Sequence, residues 1–164
     1  MKRLTHQMRA AGVLGLCLWV LTAAVPAQEI AFDTVAQGAI TYHRYGDMDF
    51  VGGDMIITNA KTWAWFWRQH TSGLFPPPPL PEVDFEADMI IAVFLGWQSS
   101  GGRPRTEVRR ADYDADCLCL RVQVEDDRTP GALRVITNPF HIIRIGRLPT
   151  DSIFFEHQRP APAE

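Results

Sequence analysis

Hydrophobic and polar positions follow two different periods along this chain, and the longer period comes first. Four large side chains recur at intervals of three and four residues. They are Trp63, Phe66, Trp67 and His70. This spacing predicts one amphipathic helix whose aromatic stripe faces a core. A side-chain oxygen of Thr58 or Asn59 can cap its first turn, and we expect Gly73 to end it.

After this helix the pattern changes to the short period of β-strands. Residues 89–95 form an unbroken apolar run, which predicts a strand buried on both faces. Residues 117–125 alternate, which predicts a half-buried strand with Leu118 and Leu120 inward and Cys119 outward. The other predicted strands are 39–45, 55–57, 106–110, 134–137, 140–145 and 153–155.

The connections between these elements indicate the fold class. Residues 75–81 contain five prolines, so we predict a stiff, extended spacer rather than a ligand for a proline-recognising domain. Residues 29–38 are expected to be a lead-in before the first strand, and residues 112–116 an acidic turn. Tight turns suit antiparallel neighbours. The sequence therefore predicts an α+β, mainly β fold, with one early amphipathic helix packed on a curved antiparallel sheet or small open barrel.

The start of the chain has the pattern of a secretory signal peptide. Basic residues precede an apolar run at residues 12–25, and the small residues Val25 and Ala27 predict cleavage after Ala27. The run is shorter than a membrane span, which favours cleavage over an N-terminal anchor. Cys17 follows Leu16 inside the apolar run, so we expect no lipid on it. We predict a periplasmic or secreted location with no stable membrane anchor.

Composition then limits the class of partner. The chain has 164 residues and a net charge of −3, and loss of residues 1–27 would remove three basic residues and no acidic one, giving −6. An acidic balance argues against a nucleic-acid partner. We predict one domain over residues 28–157 and a disordered tail over residues 158–164, and the domain is large enough to bury a core.

The sharpest chemical feature is the pair Cys117 and Cys119. In a regular strand their side chains would lie on the same face about 6.5–7 Å apart, which is longer than disulfide geometry permits without distortion. A strained or inter-chain disulfide, a pair of buried unreactive thiols, and a redox or metal site all remain open. Two thiols alone do not make a metal site, because two more ligands are needed.

The remaining candidates favour binding over catalysis. No nucleophile is placed with His141, so we expect a hydrogen-bonded core or edge histidine, and we predict no catalytic, metal or cofactor site. A turn after residues 89–95 is a candidate partner-binding tip, because Trp and Arg dominate interface energetics; the alternative is an ordinary hairpin turn with solvated arginines. Its residues are Trp97, Gly101, Gly102, Arg103 and Arg105. Trp65 lies off the aromatic stripe and is a second candidate anchor if exposed.

Several short motifs occur in an order that resembles a known family. They are the aromatic helix at Trp63, Pro81-x-Val83-Asp84-Phe85, the apolar strand from Met89, Gly96, Gly101-Gly102, and the run NPFHIIRI at residues 138–145. In this order they resemble the C-terminal domain of the PrcB-like protease-complex subunits, over roughly residues 40–145. The chain departs from that family in lacking a lipobox and in having Arg103-Pro104 after the glycine pair, where an aromatic and a polar residue are expected.

The resemblance implies an exported, non-enzymatic accessory protein. Such a protein would bind another extracytoplasmic protein, such as a protease, and would need no cofactor. Two other functions stay open from the residues: a thiol-redox protein using Cys117 and Cys119, and a small-ligand carrier with a pocket in a half-open barrel.

Overall fold

The computed structural model describes residues 26–39, 53–98, 105–128 and 136–160 of the chain. Eight strands and one helix are formed in these ranges. They are β1 Gln28–Glu29, β2 Phe32–Gly38, β3 Met55–Ile57, α1 Ala60–His70, β4 Asp88–Phe94, β5 Arg105–Asp114, β6 Cys119–Asp127, β7 Phe140–Gly146 and β8 Ser152–Gln158. Within the same ranges, the helix is neither long nor apolar enough to cross a membrane.

The strands form two four-stranded sheets. Sheet 1 has the order β1-β5-β6-β8 and sheet 2 the order β2-β7-β4-β3. Over the described residues neither sheet closes into a barrel, and the predicted α+β, mainly β class is confirmed. The expectation of one antiparallel sheet needs correction, because there are two and because β8 pairs parallel to β6. Between β6 and β8 the chain crosses to sheet 2 as strand β7, and this crossover makes the parallel pairing possible.

Strand β4 lies at the centre of three layers, as its unbroken apolar run predicted. Met89, Ile91 and Val93 pack with the inner face of sheet 1. Ile90 and Phe94, on the opposite face, pack against the aromatic side chains of α1. Both faces of the strand are therefore buried, which explains why its sequence does not alternate.

The helix also forms as its period predicted. Asn59 caps it by accepting a hydrogen bond from the Thr62 amide at 2.9 Å. It ends at His70, with Thr71 as its C-cap, so Gly73 lies beyond it. The buried residues of α1 are Trp63, Phe66, Trp67 and His70. The prediction that the stripe is core is therefore confirmed.

Several strand predictions need correction. The expected lead-in, residues 29–38, contains strand β2, whose bulge between Thr34 and Ala36 breaks the two-residue period. Strand β5 continues to Asp114, so the acidic turn starts later than expected. Strand β8 reaches Gln158, the first residue of the expected tail. Of the predicted strands, residues 40–45 and 134–135 lie outside the described ranges, as do residues 1–25 of the predicted signal peptide. Residues 136–137 of the predicted strand 134–137 form only an isolated bridge, between Thr137 and Gln98.

Candidate functional site

The proline-rich segment after α1 is held against the helix by two indole groups. The Trp63 Nε1–H donates to the Pro81 carbonyl at 2.9 Å, and the Trp67 Nε1–H donates to the Pro78 carbonyl at 3.4 Å. Prolines cannot donate backbone hydrogen bonds, but their carbonyls still accept them. Because of these two bonds the segment is fixed in place without joining a sheet.

The fixed segment exposes apolar side chains, and we call residues 74–80 the proline ridge. Phe75 is 97% exposed, which is the highest exposure among the large hydrophobic residues of the described chain. Leu74 and Leu80 on the same ridge are also exposed. Single exposed apolar residues are ordinary, but a contiguous group of them is typical of an interaction site.

A groove of about 470 Å³ runs between α1 and the proline ridge. Trp67, Leu74 and Leu80 contribute its apolar walls, and Ala64 and Arg68 come from the outer side of the helix. A second depression of about 550 Å³ lies beside it and shares Ala64 and Arg68. We call the two depressions together with the ridge the α1–proline surface.

The predicted partner-binding residues do not all lie on this surface. Trp65 does, since it lines the second depression while its other side packs on the aromatic core. Trp97 is half-buried beyond β4. Arg105 is the first residue of β5, where its Nε lies 3.6 Å from a Glu107 carboxylate oxygen. Gly101, Gly102 and Arg103 lie outside the described residues.

Cys117 and Cys119 form a disulfide within the chain. The prediction that both lie in a strand is wrong, because β6 begins at Cys119 and Leu118 adopts a left-handed conformation with φ of 49° in the preceding turn. The turn brings the two Cα atoms to 5.2 Å, which is inside the range for disulfides. Leu118 is therefore not an inward strand residue, and Cys119 is buried instead of facing outward.

The surroundings of this disulfide are acidic. Asp114 and Asp116 stand on the same turn, and the Asp151 amide donates to the Leu118 carbonyl. Nearby carboxylates disfavour a thiolate, which is the reactive form in thiol exchange. The arrangement suits a disulfide that closes a turn better than one that reacts in turnover.

A charged cluster joins the two sheets at their β3 and β8 edges. His157 on β8 donates through Nδ1 to Asp126 at 2.9 Å and through Nε2 to Asp54 at 2.8 Å. Asp126 is buried and also accepts from the Thr106 hydroxyl at 2.7 Å. The hydrogen bonds to Asp126 and Asp54 raise the pKa of His157 to about 10. His157 is therefore a cation at neutral pH that links both sheets.

The other two members of the cluster differ in how their oxygens are satisfied. Burial alone would raise the pKa of Asp126, but the hydrogen bonds from His157 and Thr106 outweigh burial and lower it. One carboxylate oxygen of Asp54 is buried and has no hydrogen-bond partner in the described part of the chain. No local sequence pattern indicates this cluster, since Asp54 and His157 are 103 residues apart.

His141 links the sheets in a different way. The Val108 amide, at the bulge of β5, donates to Nδ1 at 2.9 Å, so Nε2 carries the proton and can donate to the Thr34 hydroxyl at 2.9 Å. Burial lowers the pKa of His141, which keeps it neutral. The predicted hydrogen-bonded core histidine is confirmed, and both of its nitrogens are committed to structure.

The described residues contain no group of three or more His, Cys, Asp or Glu side chains arranged to hold a metal ion. Comparison with known proteins finds no matching family model, no matching curated protein and no matching solved structure. The α1–proline surface is therefore judged on its own geometry. The run of prolines next to Phe75 is its signal in the sequence, and that run by itself predicts a stiff spacer and not a binding surface.

Proposed function

We propose that this chain is an exported, non-catalytic binding module that engages another extracytoplasmic protein through the α1–proline surface. The observation that carries the proposal is the 97% exposure of Phe75 on the proline ridge, whose Leu74 and Leu80 line an apolar groove. Burying a phenylalanine side chain on association is favourable by about 1.5–3 kcal/mol. A partner that covers the proline ridge would gain this term, and also the contributions of Leu74 and Leu80.

The anchoring of the ridge supports the same proposal. Its prolines have restricted backbones, and two indoles hold carbonyls at its end: Trp67 holds that of Pro78 within the ridge, and Trp63 holds that of Pro81 directly after it. A surface that is already ordered loses little conformational entropy on binding. The proline ridge is therefore suited to an interface in a way that a flexible loop with the same residues is not.

The resemblance to the PrcB-like subunits adds the proposed biological setting. It favours an accessory protein of an extracytoplasmic protease complex over an enzyme. The tip formed by Trp97, Gly101, Gly102, Arg103 and Arg105 stays a predicted second contact. For the redox alternative, the acidic turn around Cys117 and Cys119 is an unfavourable setting. For the ligand-carrier alternative, buried aliphatic side chains fill the space between the described parts of the two sheets.

Export can be tested by intact mass spectrometry of the extracytoplasmic protein. We expect a mature N-terminus at Gln28, the first residue of β1. An N-terminus at Met1, or lipid on Cys17, would contradict the proposal of a cleaved, unanchored module.

Site-specific photo-crosslinking tests the binding role in the native host. A benzoylphenylalanine is placed at Phe75, and a matched chain carries it at Ile136, which is 67% exposed but lies outside the proline ridge. We expect a covalent adduct with a different extracytoplasmic protein from position 75 and little from position 136. Equal adducts at both positions, adducts only between two copies of this chain, or no adduct would contradict the proposal.

A further inference from the structure

The outer side of α1 carries a stripe of two cations, one small residue and one tryptophan. Lys61, Ala64, Trp65 and Arg68 are spaced by three, four and seven residues, so they lie on one side of the helix. Ala64 has no side chain beyond Cβ, which leaves a low point between Trp65 and Arg68. The two depressions of the α1–proline surface meet at this low point, because both are lined by Ala64 and Arg68.

The charge of this stripe is opposite to that of the whole chain. The chain has a net charge of −3, whereas α1 contains no acidic residue. Lys61 and Arg68 are the only charged residues that line either depression, and neither forms an ion pair with a described residue. Most other described arginines are paired with carboxylates, as Arg109 is with Glu107 and Glu125. The two cations on α1 are therefore available to a partner's carboxylates.

We propose that the α1–proline surface binds an extended segment of the partner in which two carboxylates flank an apolar side chain. This inference rests on the proposed function and specifies the chemistry of the ligand. Seven residues of helix place Lys61 and Arg68 about 10.5 Å apart along the axis. In an extended peptide, residues four apart lie on the same side and span about 13 Å. The long, flexible side chains of Lys61 and Arg68 can reach across the difference of about 2.5 Å between these two spacings.

The apolar side chain of such a segment would lie at Ala64, between the two cations. Trp65 borders this point on one side, and Trp67 and Leu74 contribute the groove on the other. The sequence pattern that fits is glutamate, any residue, a large apolar residue, any residue and glutamate. A second copy of this chain fits less well, because a symmetric contact through α1 would place the same cations against each other.

The test measures binding of three fluorescein-labelled peptides by fluorescence anisotropy. The first contains Glu-Leu-Phe-Leu-Glu, the second has glutamine in place of both glutamates, and the third has serine in place of its three apolar residues. Exposed ion pairs each contribute about 0.2–1 kcal/mol, so two of them should make the first peptide bind about twofold to 30-fold more tightly than the second. We expect the third to bind more weakly than the first. The preference for glutamate should shrink at about 0.5 M salt.

Two double variants separate the site from overall charge. Lys61→Gln with Arg68→Gln should abolish the preference for glutamate over glutamine. Arg121→Gln with Arg159→Gln removes the same charge from exposed positions away from α1 and should leave the preference intact. Melting temperatures of both double variants should stay close to that of the wild type, since all four side chains are on the surface.

Three results would overturn the inference: equal affinity for the first two peptides, loss of the preference in the Arg121 and Arg159 control, or no binding of any peptide up to about 1 mM. The proposed function fails separately. If the peptides do not bind but Phe75 still crosslinks to an extracytoplasmic protein, the binding role stands and only the ligand chemistry is wrong. If position 75 gives no such adduct, the binding role itself is contradicted.

Discussion

The two cores on either side of sheet 2 are built from different side chains. Between the sheets the core is mainly aliphatic, with Ile91, Ile143 and Val122 among its members. Under α1 the core is aromatic, and the Trp63 and Phe66 rings stack with centroids 5.8 Å apart. Aliphatic groups can only pack, whereas a tryptophan packs and also donates a hydrogen bond. The aromatic core can therefore hold the proline ridge in place.

The largest expected effect is on stability and comes from the aromatic core. Trp63→Ala should lower the free energy of unfolding by about 3–5 kcal/mol, because it removes a buried aromatic and leaves a cavity. Ile143→Ala, the reference from the aliphatic core, should cost about 2–5 kcal/mol. Urea unfolding measures both. If Trp63→Ala costs less than about 1 kcal/mol, the aromatic layer is not a core and the comparison fails.

The link between the sheets gives the next largest effect and depends on pH. The pKa of His157 is raised to about 10 from 6.5, so its stabilising contribution is complete below pH 6.5 and is lost as the pH rises towards 10. We expect the free energy of unfolding to fall by about 1–3 kcal/mol across that window, less than the full shift implies because His157 is one-third exposed.

The variant His157→Gln should remove this pH dependence while leaving the position able to form hydrogen bonds. Unfolding in urea at several pH values between 6.5 and 9.5 gives the free energy of unfolding of the variant and the wild type, and hence the slope of that free energy against pH. A slope that is the same in both proteins would show that the link through Asp126 and Asp54 does not stabilise the fold.

A smaller substitution at Trp63 separates its packing in the aromatic core from its role in positioning the proline ridge. Trp63→Phe keeps an aromatic ring in the core but removes the donor to the Pro81 carbonyl, so we expect a stability loss of about 1–2 kcal/mol. Since Trp63 does not line the groove, any loss of partner binding by the folded variant must come from movement of the proline ridge. Ile143→Ala should lower stability without this loss. Partner binding by the two variants is measured well below both melting temperatures, where both are folded. Equal losses of binding in Trp63→Phe and Ile143→Ala would contradict the claim that Trp63 positions the proline ridge.

The elements that could be predicted from the sequence are those whose signal is local. The aromatic period of α1 and the apolar run of β4 each lie within a short window, and both predictions are confirmed. The pairing of β2 with β7 depends on residues more than 100 positions away, and the bulge between Thr34 and Ala36 hides its period. Residues 106–110 predicted β5 only in part, because Asp112 and Asp114 have the composition of a turn.

The same distinction explains the candidate site. Five prolines predicted an extended segment, but its position depends on indole hydrogen bonds to Pro78 and Pro81, which composition does not show. Exposure of Phe75 is equally a tertiary property, because nothing near it in the sequence says that no core side chain covers it. For the cysteine pair, an ideal strand was the wrong reference, since the left-handed Leu118 shortens the distance.

The smallest expected effect on stability accompanies the largest expected effect on binding. Phe75→Ser changes a side chain that is 97% exposed, so the free energy of unfolding should change by less than about 0.5 kcal/mol. Ile136→Ser is the matched control, since it also removes an exposed apolar side chain. Thermal melting should place both variants within a few degrees of the wild type.

The measurement that tests the central claim most directly is the amount of the Phe75-crosslinked partner that each of these two variants captures, relative to the wild type. The account predicts that Phe75→Ser captures about one tenth or less, in line with a loss of about 1.5–3 kcal/mol of buried apolar contact, while Ile136→Ser captures nearly as much as the wild type. Undiminished capture by folded Phe75→Ser, or an equal loss in Ile136→Ser, would contradict the claim that the α1–proline surface is the binding site.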